Sequence, residues 1–208
     1  TGLGQVFISA IVGVANGQLI IALFLTMITC IILGMGVPTT ANYIIMATTC
    51  APILVTGMGM DAIAANMFVF YFGIVADITP PVALAAYAGS AIAKANPMKT
   101  AFQATRLAIA AFLIPYIFAL NPAMLFIDTT VIEVIQVIIT SSIGMAGVAA
   151  GIEGYLMGNM NPFERVMSIA GGLMMLYPGT VTDLVGAALI VLVGVFQIMR
   201  HKREGAAA

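Results

Sequence analysis

The chain has 208 residues, of which 62% are hydrophobic and 7% charged, whereas an average soluble domain carries about 25% charged residues. That composition excludes an ordinary soluble globule and describes an integral membrane protein. The net charge of -1 carries no message about nucleic acid or acidic partners, so what matters is where each charge sits along the chain.

In chain order, Thr1 opens inside what reads as the end of a truncated apolar helix to about Val14. The segment is therefore expected to belong to a longer polypeptide, whose own N-terminal signals would lie outside it; no signal peptide is visible within it. A long apolar run from Gln18 to Leu54 follows, interrupted by GMGVPTT at Gly34 to Thr40. A second run from Asp61 to Ala93 is interrupted by DITPP at Asp77 to Pro81. As single helices these runs would be roughly 55 Å and roughly 48 Å long, against a hydrocarbon core of about 30 Å. Neither fits as one straight span, nor as two full spans with a loop, so each reads as two short arms meeting inside the membrane.

Asp61, directly after Gly59 and Met60, reads as a plain N-cap. A loop with Lys94, Asn96, Pro97, Lys99 and Arg106 is expected next, then a span from Leu107 to Leu120 stopped by Asn121-Pro122. Residues 121–208 add further membrane helices: a span from Thr130 to Ala150 and a loop through Glu153, Asn159, Asn161, Pro162, Glu164 and Arg165. A short apolar stretch from Val166 to Tyr177, a Pro178-Gly179 turn and a last helix from Thr182 to Met199 follow. The basic tail Arg200, His201, Lys202 and Arg203 and the 94–106 loop are both placed on the cytoplasmic side, with Asp128 and Glu133 outside. Keeping the tail inside requires residues 166–199 to form a shallow hairpin.

Smaller features read blandly. Cys30 and Cys50 are expected to be small buried apolar residues and not a disulfide or metal pair. The fifteen methionines suit packing at helix interfaces, and Ser141, Ser142, Gly144 and Gly147 read as one close-contact helix face. No Ser/His/Asp set, HExxH, phosphate loop or CxxC appears, which argues against an enzyme.

The chemistry concentrates at the two breaks, because irregular backbone in a bilayer persists only where protein or a water-filled cavity satisfies it. Gly34 and Gly36 permit unusual backbone angles, Pro38 suits the first turn of the next arm, and Thr39, Thr40 and Asn42 add hydroxyl and amide oxygens. The second break adds Asp77 and Thr79, and Pro80 and Pro81 release carbonyls one turn earlier, around Gly73 to Ala76. Oxygens near Gly36, Ala76, Asp77 and Thr79 can hold a hard cation such as Na⁺, and the tip's amides can instead meet a carboxylate. The alternative is that Asp77 only caps the following half-helix or pairs with a basic residue elsewhere.

The segments LGMGVPTTANYIIMATTCAP (Leu33 to Pro52), FYFGIVADITPPVALAAYAGSAIA (Phe70 to Ala93) and ANPMKTAFQATRLA (Ala95 to Ala108) resemble the C-terminal half of the large membrane subunit of TRAP transporters. The likeness is strongest to the fused permeases that work with TAXI-type binding proteins, and covers roughly Gln18 to Leu120. It implies an all-α polytopic fold, half of an inverted-repeat elevator transporter, with a re-entrant hairpin at 18–54 and a discontinuous helix at 61–93 in a C-terminal transport repeat at 15–120. It implies secondary active uptake of organic acids delivered by a periplasmic substrate-binding protein across the bacterial or archaeal inner membrane. The coupling ion is expected to be Na⁺, and no organic cofactor is expected. An N-terminal repeat and small-subunit-like helices are the implied missing partners. Many large subunits have an acidic residue just after the hairpin glycine; Val37-Pro38-Thr39-Thr40 stands here instead, which keeps H⁺ as an alternative ion. Two other readings stand beside this one: a binding-protein-independent anion carrier, and a channel or structural subunit whose breaks only kink helices.

Overall fold

Residues 3–205 are described in a computed structural model, with side chains at Val6 and from Ser9 to Met199. The fold is all-α: among the described residues there is no strand, only an isolated bridge between Tyr155 and Asn159. Two compact units divide between Leu125 and Phe126. Arg200, His201, Lys202 and Arg203 continue the backbone of the last helix, but their side chains lie outside the described residues.

The first unit holds α1 (Leu3–Ala15), α2 (Leu19–Gly34), α3 (Thr39–Thr49), α4 (Ala51–Met58), α5 (Ala62–Val75), α6 (Leu84–Ile92), α7 (Pro97–Leu107) and α8 (Ile109–Leu120), with short 3₁₀ turns at Ala76–Ile78 and Pro122–Leu125. Both expected interruptions exist, between α2 and α3 and between α5 and α6. The second arm of the hairpin is longer than expected. It runs from Thr39 to Met58, long and apolar enough to cross a membrane by itself, because Pro52 sits at the start of α4, where a missing amide costs least. Gly59, with φ of 70°, stops it. Asp61 then caps α5 as expected, accepting from the amides of Ile63 at 2.7 Å and Ala64 at 3.2 Å.

The core of this unit is aromatic. Phe68 and Phe72 on α5 are fully buried and meet Tyr116 of α8 edge-on at 5.4 and 5.9 Å between ring centres, the arrangement aromatic quadrupoles favour. On α2 the buried face is Leu23, Thr26, Cys30 and Gly34. The opposite stripe, Ile20, Phe24, Ile28 and Ile32, is exposed, as hydrocarbon solvent permits.

Of the expected loop at 94–106, only residues 94–96 lie outside a helix; the rest belongs to α7 (Pro97–Leu107). That helix forms because the Asn96 side chain accepts from the Lys99 amide at 3.1 Å, Pro97 fills the first turn, and no helix breaker follows before Ala108. Cys30 and Cys50 are free and buried, as expected.

The second unit consists of α9 (Val131–Glu153), α10 (Pro162–Leu176) and α11 (Thr180–Gly205). Each start is written in the sequence. Thr130 and Glu133 form a capping box for α9, and Asn161 and Glu164 form one for α10. Glu164 and Arg165 are therefore the first turn of α10 and not part of a loop. α9 and α10 run antiparallel, with Gly144 opposite Gly172, Gly147 opposite Ser168 and Gly151 opposite Arg165. Gly171 faces Gly186 on α11. Ser141, Gly144 and Gly147 form the expected contact face, whereas Ser142 is exposed. The C-terminal part of α11 returns to the end where α9 stops: Gln197 accepts from the Met157 amide at 3.0 Å.

Candidate functional site

The α2–α3 turn needs a reversal, and Gly36 supplies it with φ of 75°. Pro38 then precedes α3 as its N-cap, and Asn42 lies one turn inside α3 pointing back across the break. Its side chain is 2% exposed. The amide donates to the Gly73 carbonyl at 2.8 Å and to the Gly34 carbonyl at 3.5 Å. One side chain thus joins the end of the first hairpin arm to the last full turn of α5, four residues before Asp77.

Two glycines make room for it. A Cβ on Gly34 would come within 2.7 Å of the Asn42 amide nitrogen and 3.0 Å of the Ala76 Cβ. A Cβ on Gly73 would press on the same amide at 3.3 Å. The Oδ1 of Asn42 is buried and has no hydrogen-bond partner, which is costly for a polar atom away from water. The hydroxyl of Thr26, on the same face of α2 as Gly34, is also buried without a partner.

The second break begins as the 3₁₀ turn Ala76–Ile78 and ends in a left-handed residue, Ala83, with φ of 36°. Two prolines that donate no amide hydrogen bond interrupt the helix here. The Pro80-Pro81 bond is cis, and the Tyr87 hydroxyl donates to the Pro81 carbonyl at 2.5 Å. The Thr105 hydroxyl of α7 donates to the Ile78 carbonyl at 3.1 Å.

Of the ten residues singled out from the sequence, Gly34 and Asn42 meet the α5 end directly, through Gly73 and Ala76. Gly36 approaches the second break at Val82, 4.0 Å from where its Cβ would be. Pro38, Thr39 and Thr40 are exposed on the rim of the first turn. Asp77 is half-buried, and its carboxylate has no partner among the described residues. Thr79 turns back on its own helix, donating to the Val75 carbonyl at 2.7 Å. The carbonyls expected to be free are therefore partly used: Gly73 by Asn42, Val75 by Thr79, and Ala76 by the Thr79 amide at 3.3 Å.

Sequence reasoning missed Tyr87 and Thr105. Thr105 sits in the segment read as a loop, and nothing local signals a bond to a residue 27 positions earlier. Among the described residues no three His, Cys, Asp or Glu side chains converge, so the donor set is backbone carbonyl, amide oxygen, hydroxyl and one carboxylate. Those are the oxygen ligands that suit a hard cation.

Apolar helices of membrane length, broken twice with the breaks pinned together, define a polytopic membrane protein with an internal polar junction. The family model for the Tripartite ATP-independent periplasmic transporter, DctM component, matches residues 1–133. The chain belongs to that family: it is a multi-pass inner-membrane protein and part of a TRAP transporter's membrane permease. No curated protein and no solved structure matches it.

Proposed function

We propose that the junction is half of the ion and substrate site of a secondary active transporter. In this reading the chain takes up organic acids delivered by a periplasmic binding protein of TAXI type and couples their entry to Na⁺. The observation that carries it is the buried Asn42 amide, which spans both breaks and leaves its Oδ1 unpartnered beside the released end of α5. An orphan acceptor there, with Asp77 close along the chain and itself without a partner, is the arrangement a cation would complete. A cation held by both breaks would also link closure of the hairpin to occupancy, which coupling requires. The opposed partial charges of the arm ends at the α2–α3 turn give the substrate carboxylate amides to meet and the ion carbonyls to meet.

Uptake by the full-length protein in proteoliposomes tests this, measured with and without an inward Na⁺ gradient and with and without added binding protein. Uptake is expected to need both, and Asp77→Asn is expected to lower it by about tenfold or more. Uptake that ignores the binding protein would make this an independent anion carrier. Unchanged uptake in Asp77→Asn and Gly36→Ala would reduce the breaks to kinks.

A further inference from the structure

We infer that α7 carries a binding surface for an anionic phospholipid headgroup. Between Asp77 and Asp128 the sequence contains no acidic residue, yet it holds Lys94, Lys99 and Arg106. Arg106 has a partner within the protein. Lys94 and Lys99 are exposed, and neither has an ion-pair or hydrogen-bond partner among the described residues. Their charge has no local counterpart, so it calls for one from outside.

The side chains around them say what kind. Met98 and Phe102, one turn apart on α7, are 46% and 62% exposed. On the other side of Lys99 an open groove is lined by Asn96, Thr100, Gln103 and Leu107. At about 100° per residue, Lys99 stands between Met98 and Phe102 on one side and this mostly apolar groove on the other, with Asn96, Thr100 and Gln103 as the polar groups in the groove wall. A soluble anion would use the lysines and leave Met98 and Phe102 bare in water. A phospholipid uses all three features: phosphodiester on Lys99 and Lys94, glycerol and headgroup hydroxyls on Asn96 and Gln103, and an acyl chain across Met98 and Phe102. Basic residues beside apolar ones are the composition that binds an anionic bilayer surface.

The surface is also held in place. Thr105 is bonded to the Ile78 carbonyl, and Ala101 is fully buried in a small cluster with Ala83 and Ala86. α7 therefore presents these side chains from a fixed backbone, on the segment that closes the second break.

Native mass spectrometry of the full-length protein, titrated with phosphatidylglycerol or phosphatidylcholine, tests the assignment. The unaltered protein is expected to retain phosphatidylglycerol preferentially. Lys94→Gln with Lys99→Gln is expected to lower that preference by about tenfold or more, since each basic residue near an anionic surface contributes roughly a factor of five. Phe102→Ser is expected to weaken retention of both lipids. Lys202→Gln with Arg203→Gln serves as the comparison and is expected to lower the preference less than the Lys94 and Lys99 pair, because no paired apolar contact is argued for the tail. Equal retention of the two lipids by the unaltered protein overturns the inference, as does a preference lost with the tail substitutions and kept with those on α7. Full displacement of phosphatidylglycerol by inorganic phosphate also overturns it, because the acyl contacts would then contribute nothing.

Discussion

The two units use glycine for the same physical end and fill the space differently. In the second unit the gap left by a missing Cβ is taken by another helix's backbone: a Cβ on Gly172 would stand 2.5 Å from the Gly144 carbonyl oxygen, and one on Gly186 would stand 2.5 Å from that of Gly171. In the first unit the gap at Gly34 and Gly73 is taken by the Asn42 carboxamide. The first arrangement gives van der Waals contact between helices, the main attraction available where lipid is as apolar as the protein. The second spends the same space on a buried polar group with an unmatched oxygen, which lowers stability. Small residues in a membrane helix thus mark close approach, and what fills the approach separates packing from a site.

That contrast can be broken at either end, and the largest effect is expected in the seam. Gly172→Ala places a methyl against the Gly144 carbonyl, the Val148 amide nitrogen and the Val148 side chain, all within 2.8 Å. Backbone cannot yield as a side chain can, so a loss of about 3 kcal/mol is expected, read as a lowered unfolding midpoint in detergent. Asn42→Ala leaves the Gly73 carbonyl buried without its donor and is expected to cost about 1–3 kcal/mol. Unlike Gly172→Ala, it should also depress uptake out of proportion to the protein that remains folded. If uptake tracks folded protein alone, the amide is packing and the contrast fails.

Thr130→Ala removes one half of the α9 capping box, at an expected cost of about 1 kcal/mol, and should leave uptake per folded molecule unchanged. The smallest effect is expected at Gly194, where an added Cβ meets nothing within 4 Å. Gly194→Ala should be neutral, or stabilise by up to about 1 kcal/mol through helix propensity. A Gly172→Ala variant as mild as Gly194→Ala would show that the seam is not close-packed.

Much of the fold was legible because its signals are local. Asp61 announces the start of α5, since a cap bonds amides two or three residues away. The capping boxes of Thr130 with Glu133 and of Asn161 with Glu164 are equally local signals, and the second lies inside the segment 153–165 read as loop. Helix replaces expected loop at Lys99 and Arg106 in α7 and at Glu164 with Arg165 in α10, because charge within a helix marks an exposed face or a first turn and not an end.

At the site, the sequence by itself determined where the backbone must break and which oxygen-bearing residues stand there: Gly34 to Asn42, and Asp77 to Pro81. Glycine conformation and the missing proline amide act within one turn, so neighbouring residues suffice to specify them. Only the tertiary structure decided that Asn42 reaches Gly73, that Thr79 turns inward while Asp77 stays unpartnered, and that Tyr87 and Thr105 hold the second break. The Asn42 and Thr105 contacts join residues on different helices, and their distances follow from how closely those helices approach. The Thr79 and Tyr87 bonds are local, but the choice of carbonyl depends on how the break folds.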